Sequence, residues 1–193
     1  MINTMNFAKS YIPAVLVIAL LSITLIVKIV YVQSYSIQSG MMQDTIENGD
    51  FILVETFTFT KRAPRQGDVV VFEYPENTSK IIITRVIGTP GDTVEVKEKK
   101  VYVNGQPYDN PHEVHKEKDL FPREQNPRDN MGPVAVPSGA CFVMGDNRDR
   151  SYDSRFWGFV KSDKIKGLAF IKYWSWDDEH SQVRWGNIGA LID

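Results

Sequence analysis

The chain has 193 residues, 22 Lys/Arg against 24 Asp/Glu and a net charge of −2, a size that suits one globular domain plus an appendage. The near-balance of charge excludes the basic footprint of a nucleic-acid binder, so nucleic acid is not an expected partner. A single cysteine, Cys141, excludes an intramolecular disulfide framework. Set in the apolar run Ala140–Met144, it reads as a small buried residue.

In chain order, the longest apolar stretch comes first, Tyr11 to Val32, YIPAVLVIALLSITLIVKIVYV. It matches the roughly 20 residues with which a helix crosses a bilayer. Lys28 interrupts it, at a cost of ~2.5–3.5 kcal/mol at mid-bilayer, but close to the end of the run its amine can snorkel to the headgroups. Pro13 is read as first-turn proline, where proline is tolerated. A cleavable signal peptide and a buried core helix compete with this reading. The run is long for a signal-peptide apolar region, although Ser34 and Ser36 leave cleavage open, and the sequence beyond reads as nearly all β. Lys9 and the free amine precede the span, while Asp44, Glu47 and Asp50 follow it before Lys61. The positive-inside rule then gives residues 1–10 as cytoplasmic, 11–32 as a single span through the inner (plasma) membrane, and 33–193 as a domain on the export side. The lipid bilayer is thus an expected partner.

From Ser34 short β-type runs alternate with turn residues. Phe51–Val54, Asp68–Phe72 and Ile81–Ile87 read as strands. Thr93–Val96 and Val101–Val103 read as a hairpin around Lys97–Lys100, whose lysines are expected to be solvated. Strands at this spacing predict an antiparallel β-barrel or sandwich, a mainly β domain behind one N-terminal helix. Residues 106–132 form a long polar insertion with Pro111, Pro122 and Pro127; loops of that length usually carry a small subdomain or a function. His112 and His115 lie there, but not in a His-Glu-x-x-His pattern, so no metal or cofactor is expected. Ala140–Met144 and Lys166–Trp176 are the last strands. The tail, Trp185 to Ile192, reads as a final packed turn or a membrane-surface segment, and Trp174, Trp176 and Trp185 suit an interface or a core equally.

The most specific stretch is MGDNRDRSYDSRFWGFV, Met144 to Val160. Gly145-Asp146-Asn147 is a turn signal. Arg148, Asp149, Arg150, Asp153 and Arg155 alternate in sign around Ser151 and Ser154, and charges so dense beside apolar residues are expected to pair with one another. By its chemistry alone the stretch is a polar loop capping a β domain. It resembles, nearly letter for letter, the GDNRDxSxDSRxWGxV signature of bacterial type I signal peptidases, membrane enzymes that remove signal peptides from exported preproteins.

That resemblance implies a serine–lysine dyad and a preprotein substrate. A serine hydroxyl needs a base, a lysine serves only when desolvation lowers its pKa, and donors beside the serine stabilise the oxyanion. The family's motif Ser-x-Ser-Met-x-Pro-Thr-Leu corresponds here to Ser39-Gly40-Met41-Met42-Gln43-Asp44-Thr45-Ile46, in a frame set by Gly49-Asp50. Met41 falls at the nucleophile position, Asp44 at the proline and Ser39 at the serine that helps form the oxyanion hole. The family's Lys-Arg-Val-Ile-Gly-x-Pro-Gly-Asp corresponds to Thr84–Asp92, with Thr84 at the general base. Ser151 matches the serine that orients that base. Asp153 and Arg155 match a supporting salt bridge, alongside Asp146, Asn147 and Arg148. A substitute dyad of Ser39 and Lys80 is disfavoured, because along a strand Ser39 lies roughly 6–7 Å from position 41 and Lys80 roughly 13 Å from position 84. The expectation is a membrane-anchored family member that has lost its chemistry and retains at most preprotein binding. The alternative is an active serine endopeptidase, or an inactivated variant of one. The sequence says nothing of oligomeric state.

Overall fold

In a computed structural model the described residues are 4–193; the side chains of residues 4–10 and 25–30 lie outside the description. The chain divides into two units, Met1–Gln33 and Ser34–Asp193. The first is a helix, α1, Thr4–Tyr31. Pro13 lies well inside it rather than in its first turn, and so removes one backbone hydrogen bond. Among the described residues no helix is long and apolar enough to cross a membrane; the side chains of residues 25–30 of the expected span, Lys28 with its expected snorkelling amine among them, lie outside the description.

The second unit is mainly β. In chain order it contains β1 (Val32–Ser36, of which Ser34–Ser36 fall in this unit), β2 (Asp50–Glu55), a short α2 (Thr58–Lys61), β3 (Val69–Tyr74), β4 (Asn77–Gly88), β5 (Thr93–Lys97), β6 (Lys100–Val103) and β7 (Gln106–Pro107). Then follow β8 (Met131–Ala135), β9 (Ala140–Met144), α3 (Ser154–Trp157), β10 (Val160–Lys161), β11 (Ile165–Asp177) and β12 (Gln182–Val183). They form two sheets, one ordered β1-β2-β11-β3-β4-β9-β10 with β12 on β11, the other β7-β6-β5-β8. The pairings of β2 to β12 are antiparallel.

β3 shows why the sheet holds together. Its run Val69-Val70-Val71-Phe72 does not alternate, because both faces are covered. Val69 and Val71 join a core with Ile37, Met42, Ile46, Ile52 and Val54. Val70 and Phe72 join another with Val86, Cys141, Val143 and Val160. Each such side chain contributes about 1.5–3 kcal/mol by burial. Cys141 is fully buried, as expected, and burial pushes its thiol up to about 11, against an opposing hydrogen bond with Ser162. The second sheet packs Val94, Val96 and Val101 with Ile87, Phe142 and Met144.

Candidate active site

β1 runs into a tight turn, and that turn carries Met41. Ile37 N–H donates to the Asp50 carbonyl at 2.9 Å and Gly49 N–H to the Ile37 carbonyl at 2.9 Å, closing residues 37–50 into a loop. Inside it Ile46 N–H donates to the Met42 carbonyl at 2.6 Å, and Met42 and Ile46 are buried. Gly49 has φ +87°, and a Cβ there would meet the Trp176 carbonyl oxygen at 2.1 Å, so only glycine fits.

The signature loop is bonded directly to this turn. Asn147 N–H donates to the Met41 carbonyl at 3.0 Å, and Asn147 Nδ2 to the Gly40 carbonyl at 3.0 Å. Thr45 Oγ1 donates to Asp146 Oδ2 at 2.7 Å. Gly145 N–H is shared between Ser151 Oγ and Asp153 Oδ2, both at 3.1 Å. A Cβ on Gly145 would lie 2.4 Å from both the Met41 carbonyl and Ser151 Oγ. Met41 and Ser151, distant in sequence, therefore meet across one glycine. Ser39 Oγ accepts from Met41 N–H at 3.3 Å.

Position 84 lies on β4, paired with Val70. Thr84 is fully buried, and its Oγ1 has no hydrogen-bond partner among the described residues. Its neighbour Arg85 makes a deeply buried ion pair: Nε to Asp146 Oδ1 at 2.9 Å and Nη2 to Oδ2 at 2.7 Å, with both side chains nearly inaccessible. Burial pushes the Asp146 carboxyl up, but the Arg85 guanidinium and hydrogen bonds from Thr45 and Asn110 outweigh it and hold the group below the usual carboxylate range.

The expectation that the loop's charges pair among themselves holds for Asp153 and Arg155, at 2.8 Å. Asp153 also caps α3. Arg148 and Asp149 reach outside the loop. Arg148, 1% exposed, faces Glu113 at 2.8 Å. Asp149 accepts from Lys99 Nζ and from the Lys116 and Glu117 amides, each at 2.7 Å. Burial raises the Asp149 carboxyl, but these donors bring it down to about 2. Lys99, expected in solvent, is thus a mostly buried ion-pair partner. The residues 106–132 are bound to the loop by the same contacts and by Arg155 Nη1, which donates to the Arg128 carbonyl at 2.8 Å. His112 faces Asp193 at 3.6 Å, and His115 lies 3.3 Å from Glu113 and 3.7 Å from Asp149.

Sequence reasoning passed over Glu113, Asn110 and Lys172. The Lys172 ammonium is buried and donates to the Thr45 carbonyl at 3.0 Å, tying the last long strand to the Met41 turn. Its place in a β run gave no signal of that reach.

Beside Met41 opens a groove of about 630 Å³. One wall is Tyr35–Ser39 and the other Lys80–Ile83, with Met42 and Ile46 also lining it. β4 pairs with β3 along Ile81–Ile83, but its pairing with β9 begins only at Arg85. Among the described residues the second backbone edge of 80–83 has no strand partner. Ser39 and Lys80 line the same groove, yet no serine hydroxyl among the described residues hydrogen-bonds to a lysine amine.

A β domain with an open strand edge laid against a charged Gly-Asp-Asn loop is the class that fold and site define. The chain belongs to the signal peptidase family, peptidase S26, whose sequence model matches residues 5–174. It is 36% identical over 143 residues to the probable signal peptidase I-2 of Synechocystis, covering 72% of this chain and 61% of that protein. To the probable signal peptidase I-1 of the same organism it is 35% identical over 193 residues, covering 96% of this chain and 89% of the relative. Among solved structures, a signal peptidase I from Enterococcus faecalis shares 34% identity at a TM-score of 0.45, covering 55% of this chain and 97% of that one.

Proposed function

We propose that this chain is a signal-peptidase family member that holds preproteins by their signal peptides and does not cut them. The observation that carries the reading is the residue at each end of the expected dyad. Position 41 carries a thioether, which forms no stable acyl intermediate. Position 84 carries a buried, unpartnered hydroxyl, which has no basic form near neutral pH. Around them the scaffold is intact: the Met41 turn is fastened to Gly145, Asn147 and Ser151, and Arg85 is fastened to Asp146. In the dyad frame Ser39 takes the oxyanion-hole place and Ser151 the base-orienting place. Asp146, Asn147, Arg148, Asp153 and Arg155 keep the loop rigid.

The open edges of β1 and β4 give an extended peptide backbone groups to pair with, so binding is by strand addition. Residues 11–32 anchor the chain once through the inner membrane, with residues 1–10 cytoplasmic and the β domain on the export side. The exposed pair Trp174 and Trp185, rings 6.5 Å apart, and exposed Leu191 suit contact with lipid.

The test is incubation of the full chain, in detergent, with a preprotein bearing small residues at its junction, beside the Met41→Ser/Thr84→Lys variant. The unaltered chain is expected to bind without releasing product, and the variant to release some. Ser39 and Lys80 sharing one groove supports the second reading, a displaced dyad in an active peptidase. Product from the unaltered chain that disappears in Ser39→Ala would establish that reading instead.

A further inference from the structure

The groove beside Met41 has a charge pattern that the peptide-holding reading does not explain. Among the described residues Lys80 is the one charged side chain lining it, and no carboxylate does. Lys80 is exposed, and among the described residues its amine makes no hydrogen bond or ion pair, although Lys99, Lys116 and Lys164 all reach carboxylates. Around Lys80 the lining offers hydroxyls from Tyr35, Ser36 and Ser39 and the amide of Gln38, over an apolar floor of isoleucine and methionine.

The other side of the same segment is opposite in sign. Gln38 also lines a hollow of about 370 Å³ with Glu47, Asp177, Asp178, Glu179 and Arg184. Gln38 therefore stands between a cationic groove and an acidic hollow. An anionic group on a ligand is repelled by the hollow and drawn to Lys80, while an apolar extended chain suits the groove's floor and edges.

We propose that the groove selects an extended, mostly apolar peptide carrying one Asp or Glu side chain at the Lys80 end. Lys80 and Ile83 are separated by three residues of strand, roughly 10 Å, so the acidic residue lies about three positions from the part of the peptide opposite Ile83. The proposal rests on the peptide-holding reading and adds a sequence preference to it. The contact is solvent-accessible, so its contribution is modest and sensitive to salt.

The test uses the full chain in detergent and three fluorescent peptides of alanine and leucine. They are identical except for Ala, Asp or Lys at one position, scanned along the peptide. At the best position the Asp peptide is expected to bind about two- to fivefold tighter than the Ala peptide at low salt. The advantage should vanish in Lys80→Gln and pass to the Lys peptide in Lys80→Glu. Equal affinities for the three peptides at every position, with binding intact, overturn the acidic preference and leave the peptide-holding reading standing. Absence of binding by all three overturns both.

Discussion

The two sides of the signature loop are built to different standards. Toward residues 99–129 it is dense with paired charge: Asp149 with Lys99, Arg155 with Asp153, and Arg128 with Asp129 and Glu117. Toward the groove it meets the Met41 turn, and next to its Arg85 anchor stands a threonine hydroxyl with nothing to bond. An unmatched buried ion would cost far more than an unmatched hydroxyl, and even Arg148, whose guanidinium nitrogens make no hydrogen bond among the described residues, faces the carboxylate of Glu113. The difference teaches that the parts holding the loop's shape are under tight physical constraint. On the proposed reading, positions 41 and 84 can change with little penalty to the fold.

Substitutions can break that contrast. The largest effect is expected at the Arg85–Asp146 pair: Asp146→Ala strands a buried guanidinium and should cost about 3–5 kcal/mol in chemical denaturation. Next is Asp149→Asn, expected to cost about 1–2 kcal/mol at neutral pH. Its sign with pH is fixed. The folded carboxyl, at about 2, lies below its unfolded value, so its contribution is present above roughly pH 4 and lost as pH falls toward 2. The variant's stability should therefore fall less than the parent's between pH 5 and pH 2, measured by thermal melts across that range.

Smaller still, and opposite in sign, is Thr84→Val. Removing an unpartnered buried hydroxyl at nearly constant volume should be neutral or stabilising by about 1 kcal/mol. A loss of more than that would mean the hydroxyl is bonded in solution. Lys97→Ala, at an exposed pair with Glu95, should shift stability by less than about 0.5 kcal/mol and serves as the control.

Much of this was legible in the sequence where local chemistry decides structure. The hairpin was expected as Thr93–Val96 and Val101–Val103 around Lys97–Lys100, and the structure extends each strand by one residue, pairing Lys97 with Lys100 across a two-residue turn. Its central residues, Glu98 and Lys99, both have positive φ, which their types disfavour. Distant contacts to Asn130 and Asp149 accompany that turn. Those partners lie tens of residues away and leave no mark on the local sequence, which is why Lys99 read as a solvated tip. β8 was hidden because Met131–Ala135 contains Gly132 and Pro133, tolerated because the strand pairs on one side alone, with β5. β1 was hidden because Val32–Ser36 is half polar, as an edge strand can be. In the site, the family frame singled out Met41 and Ser151, while their common neighbour Gly145, where the Met41 carbonyl and Ser151 Oγ converge, was visible only in the structure. The bonds to Glu113, Asn110 and Lys172 depend on topology and could not be read from spacing.

The most direct test is product release from one preprotein by four chains in the same detergent: the parent, Met41→Ser, Thr84→Lys and the double variant. Nucleophile and base act as a unit, so the account predicts no product from the parent or from either single variant, and measurable product from the double variant alone. Turnover by the parent above the rate of a protein-free blank would contradict it.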